Sequence, residues 1–148
     1  MATKVINSDT IKLLRECNAG VKMGIDSINE VLPDVKSDEL RSILEEARRR
    51  HEQLGQDTRD ILNDYGDSGK EPPAVASGMS WLKTTFKLSV DPSDSTVADL
   101  ITDGCGMGVK SLRKYLNQYK AAEEKVKAIA SELIDVEEQM QEDIKTFL

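Results

Sequence analysis

One histidine, one tryptophan and two cysteines among 148 residues leave little of the usual chemistry of active sites. With His51 alone, no nucleophile–base–acid set stands out. Two cysteines far apart, Cys17 and Cys105, do not make a disulfide framework; free thiols and a cytosolic location are the expectation. No apolar run reaches the roughly 18 residues of a membrane-spanning helix, so no membrane association is expected. The opening Met1-Ala2-Thr3-Lys4-Val5-Ile6-Asn7 lacks the apolar core of a secretion signal. The net charge of −7 argues against nucleic acid as a partner, because phosphate backbones need a basic surface. Strands are missing too: no stretch sustains period-two alternation, and no glycine-rich phosphate loop follows a strand. Aromatics make up 4% against 39% hydrophobic residues overall, so the core must be aliphatic.

What remains is helical periodicity. Ser8 and Asp9 can cap a first helix, in which Ile11, Leu14, Val21, Ile25, Ile28 and Leu32 share a face with Asn18 among them. Pro33 ends it. A second helix is expected from Ser37, with Leu40, Leu44, Ala47, His51, Leu54, Thr58, Ile61 and Tyr65 on one stripe, ending at Gly66 and Gly69. The third is expected from Ser95 to Tyr119, with Ile101, Cys105, Gly108, Leu112, Tyr115 and Tyr119 on one face. The fourth is expected from Ala121 to Phe147, along Val126, Ile129, Leu133, Val136, Met140, Ile144 and Phe147. Residues 66–94 connect the two hairpins. A short helix over 77–88, carrying Trp81 and Phe86, is expected to dock on the bundle. The expected fold is therefore all-α: one domain over 1–148, made of a hairpin (8–65), a long crossover (66–94) and a second hairpin (95–148). The run Arg48-Arg49-Arg50 reads as a solvated helix face.

Cys17-Asn18-Ala19-Gly20-Val21-Lys22 is echoed by Cys105-Gly106-Met107-Gly108-Val109-Lys110, each in the first helix of a hairpin. The echo suggests an internal repeat. Gly20 and Gly24, and Gly104, Gly106 and Gly108, each weaken a helix by about 1 kcal/mol relative to alanine. A close crossing of the first and third helices would explain them and would bring Cys17 near Cys105.

Bundles of this kind can hold two metal ions with a Glu from each of two helices and a Glu-x-x-His from each of the others. Here Arg48 stands three residues before His51, and Glu137 is followed three residues later by Met140. The first helix offers Asn18, Val21 and Lys22 at that level, and the third Gly106, Met107 and Val109. His51 and Glu137 are the only candidate ligands, so neither metal nor cofactor is expected. Glu30, Glu45, Glu46, Glu132, Asp135, Glu142 and Asp143 read as solvated faces. His51 itself reads as a core histidine bonded to Asn18 or Thr58. The alternative is a phosphotransfer histidine, because His51-Glu52-Gln53-Leu54-Gly55 partly follows His-x-x-Lys-Gly.

The pattern Leu13-Leu14-x-x-Cys17-x-x-Gly20, with Met79-x-Trp81-x-Lys83 and Cys105-x-x-Gly108, resembles an uncharacterised bacterial family of ferritin-like four-helix bundles over nearly the whole chain. The resemblance implies a ferritin-like fold and no particular activity. The expected function is a metal-free interaction or scaffold module, whose partner is an unidentified protein or a second copy in a homodimer. The alternatives are a divergent iron or manganese protein using His51 and Glu137, and phosphotransfer at His51.

Overall fold

The computed structural model describes residues 8–66, 88 and 90–148; among them are four long helices and no strand. Helix α1 spans Ser8–Val31, and a 3-10 turn at Leu32–Asp34 follows where Pro33 forbids a further α-turn. Helix α2 spans Asp38–Asp64, α3 Asp94–Gln118 and α4 Glu124–Ile144, with a closing 3-10 turn at Lys145–Phe147. The starts of α2 and α3 have the same cause. Ser37 Oγ accepts from Leu40 N, and Ser93 Oγ accepts from Thr96 N, each satisfying an otherwise orphaned donor. Gly66, at φ +70°, stops α2 in a conformation that a side chain would resist. The expected helix over 77–88 lies outside the described residues except for Leu88, which is buried.

Hydrogen bonds between the hairpins fix the direction of each helix. Asp94, at the start of α3, accepts from Lys36 N (2.8 Å) and Ser37 N (3.0 Å) in the α1–α2 turn. Asp9 and Thr10, at the start of α1, accept from Ala121 N (3.0 Å) and Glu123 N (2.9 Å) in the α3–α4 turn. Each hairpin's first helix therefore begins beside the other hairpin's turn. α1 and α4 run one way, α2 and α3 the other, and the chain travels the bundle's length between Gly66 and Asp94. α4 starts at Glu124 rather than the expected Ala121, and the backbone N–H groups of 121 and 123 bond to α1.

The expected stripes meet inside. One apolar cluster near the α3–α4 turn, the base, includes Leu13, Leu14, Cys17, Val21, Leu54, Leu62, Leu112, Val126 and Leu133. The other, near the α1–α2 turn, includes Ile28, Val31, Leu40, Leu44, Val97, Ile101, Cys105, Met140 and Ile144. Leu62 replaces Ile61 as the buried residue near the end of α2. Between the clusters, at mid-height, lie His51 and Glu137.

Two expectations are corrected. Cys17 packs in the base cluster and Cys105 in the other, so the two do not share an apolar cluster. The glycines do not serve an α1–α3 crossing either. A Cβ on Gly55 would lie 2.9 Å from Val21 Cγ1, and one on Gly24 would strike His51, so the tight contact is between α1 and α2. Gly106 and Gly108 adjoin α4, Gly20 adjoins Leu133, and no described neighbour lies within 4 Å of a Cβ position at Gly104.

Asp94→Ala removes the two carboxylate acceptors at this end and leaves the Lys36 Nζ–Pro92 O bond. The expected loss is about 2 kcal/mol, seen as a lower urea midpoint with an unchanged slope. An unshifted midpoint would show that these bonds do not hold the hairpins together.

Candidate functional site

α2 and α4 carry His51 and Glu137 to the same level of the bundle, and there they bond to each other. His51 Nε2 and Glu137 Oε1 are 2.8 Å apart, and His51 Nδ1 lies 2.7 Å from the carbonyl oxygen of Ala47. The ring is 0% exposed and Glu137 7%. The proton positions follow from the partners. A carbonyl only accepts, so Nδ1 carries a hydrogen. One further proton must then sit between Nε2 and Oε1, giving either imidazolium–carboxylate or imidazole–carboxylic acid. The pair is neutral as a whole in both forms, which is what a buried site requires.

A third helix reaches the same carboxylate. The Cys105 thiol of α3 lies beside it, close enough to feel the Glu137 charge. Burial first, and then the Glu137 charge, push this thiol above its ordinary value. Cys17 is pushed up to about 12 by burial, with a smaller effect from Glu16. Neither sulfur is the thiolate that nucleophilic chemistry needs. Burial pulls the His51 imidazole down, but the Glu137 hydrogen bond and charge and the Ala47 carbonyl together outweigh it, so the net direction is up from 6.5.

Glycine makes room for both members of the pair. A Cβ at Gly24 would stand 2.6 Å from His51 Nε2 and 2.7 Å from its Cδ2. A Cβ at Gly108 would stand 3.6 Å from Glu137 Cδ, at ordinary contact. In each hairpin, then, a glycine on the first helix faces the central polar residue of the second. A sequence signal exists for this. Gly20-x-x-Met23-Gly24 matches Gly104-x-x-Met107-Gly108, and His51-Glu52-Gln53-Leu54 runs parallel to Glu137-Glu138-Gln139-Met140. The echo that begins at Cys17 and Cys105 lies one helical turn out of this register. Cys105, Gly24 and Gly108 are the members of the site that residue-type reasoning missed.

The other sequence candidates lie elsewhere. Arg48 donates to Asn29 Oδ1 at 2.7 Å on an exposed face. Met140 packs in the upper cluster. Thr58 donates to Leu54 O rather than to His51, and Asn18 is 1% exposed with neither amide atom partnered. His51 therefore bonds neither Asn18 nor Thr58, as had been expected. Both ring nitrogens are engaged and buried, which leaves no nitrogen for a phosphoryl group. Among the described residues, no three His, Cys, Asp or Glu side chains are grouped to hold a metal ion. None of the helices is long and apolar enough to cross a membrane, among the residues described. Comparison of the chain with protein-family models, curated proteins and solved structures returns no match.

Three outcomes test this geometry. Gly24→Ala forces a methyl into the His51 ring and is expected to destabilise by about 3 kcal/mol; a thermal scan reads it, and a neutral result would contradict the packing. Asn18→Leu replaces an unpartnered amide with a side chain of similar volume and is expected to raise Tm; a fall would mean that the amide has a partner. The third concerns pH. The folded-state value for His51 lies above 6.5, so its stabilisation is complete below about pH 6.5 and is lost as pH rises through the folded value. Urea midpoints should fall with pH across that window, with a limiting slope of about 1.4 kcal/mol per unit. The double variant His51→Gln/Glu137→Gln should lack that slope; an identical slope would assign it to other groups.

Proposed function

We propose that this chain is a ferritin-like bundle built by duplication of a helical hairpin, and that it works as a protein-interaction module rather than as an enzyme. The observation that carries the reading is the His51–Glu137 bond. The two candidate ligands are spent on each other, and the shared proton already balances the charge that a cation would otherwise balance. The helix directions and the long return between the hairpins support the ferritin-like part. The glycine opposite each central polar residue supports the duplication. The working surfaces are then the outer helix faces. Between α2 and α4 lies a cleft lined by Ala47, Val136 and Met140, with Glu46, Arg50 and Asp143 among the residues around them. A helix with an apolar stripe and mixed charge suits such a surface. The partner is another protein, a second copy of the chain included.

The test is elemental analysis of tag-free protein after incubation with Fe(II) and with Mn(II), together with thermal scans. The expected result is far less than one ion per chain and no rise in Tm. Binding of about two ions per chain, as a di-metal bundle requires, would overturn the reading and favour a divergent metal protein. Sedimentation equilibrium across concentration decides whether a second copy is the partner.

A further inference from the structure

The stretch of α3 beside Glu137 is Gly104-Cys105-Gly106-Met107-Gly108. Three glycines in five residues make it the least helix-favouring turn of the described bundle. On its outside, Gly104 meets no described neighbour within 4 Å of a Cβ position, and Met107 is 70% exposed. On its inner side the turn is held by two α4 side chains one helical turn apart. The Glu137 carboxyl stands beside Cys105, 3.6 Å from where a Cβ of Gly108 would be, and Gln141 Nε2 donates to Thr102 O at 3.2 Å. Gln141 also lies 3.5 Å from where a Cβ of Gly106 would be, so it covers the turn closely. Thr102 Oγ1, at the start of this stretch, is buried without a partner, which weakens the closed state further.

We propose that residues 104–108 of α3 form a local opening element, clasped by Glu137 and Gln141 of α4, that uncovers Cys105 while the rest of the bundle stays folded. Opening of this kind draws on the low end of a protein's range of local stabilities. It breaks few apolar contacts, because the turn contributes one buried side chain, Cys105. It leaves the His51–Glu137 bond in place. Cys17 is the internal reference. It sits in the base cluster beneath Leu13, Leu14 and Leu133, away from any such run of glycines.

The experiment is labelling of the full chain with N-ethylmaleimide, with the rate at each cysteine read by peptide mass spectrometry. Cys105 is expected to react faster than Cys17, at a rate insensitive to low urea, whereas the Cys17 rate should climb with urea. Gly104→Ala fills open space and restores helix propensity, so it should slow Cys105 by about fivefold and leave the order of the two sites intact. Gln141→Ala should speed Cys105 severalfold and leave Cys17 unchanged. Equal rates at the two cysteines with equal urea dependence would overturn the proposal, because global unfolding would then account for both. A faster Cys105 that Gly104→Ala leaves untouched would also overturn it, because the opening would not involve this turn.

Discussion

One proton shared between His51 Nε2 and Glu137 Oε1 sets the terms for the middle of this bundle. A buried imidazole or carboxylate alone would carry a desolvation penalty of several kcal/mol. Together, with the Ala47 carbonyl on the far nitrogen, they are satisfied and neutral. The consequences spread outwards. α1 must present glycine at position 24, because any side chain there meets the ring. α3 places the Cys105 thiol beside the same carboxylate. Four helices thus converge on one hydrogen-bonded centre between two aliphatic clusters.

The ends of the bundle use a different device. Carboxylate and hydroxyl side chains at the helix starts accept from backbone N–H groups in the opposing turns. Such bonds consume donors that the turns would otherwise leave to water, and they fix which hairpin lies beside which. Tyr65, which donates to Glu123, adds a link between the end of α2 and the start of α4. Specificity therefore comes from polar contacts at three levels, top, middle and base, while the aliphatic clusters supply most of the driving force.

The chemistry of the centre is quiet. Burial and the neighbouring Glu137 charge hold the Cys105 thiol in its protonated form, and both His51 nitrogens are engaged. The arrangement resembles a site closed upon itself.

The amino-acid sequence by itself determined the helices, their buried stripes and their main breaks. Those are local matters: 3.6-residue periodicity, the Ser37 cap, Pro33 and Gly66 act within a few residues. It also marked Asn18 and His51 as polar residues on apolar stripes, and His51 and Glu137 as the two candidate ligands. It could not say that they bond to each other, because their pairing across 86 positions depends on how α2 and α4 slide past one another. The choice of repeat register shows the same limit. Cys17 and Cys105 offered the more visible echo, yet the glycines that matter lie one turn away, and only their distance to His51 and Glu137 distinguishes the two alignments. The glycines were legible as anomalies but not in their role: small residues permit many close contacts, and tertiary packing chose α1 against α2 over α1 against α3. Local sequence fixes which face of a helix is apolar; the partner of each polar atom on that face is decided by the assembled bundle.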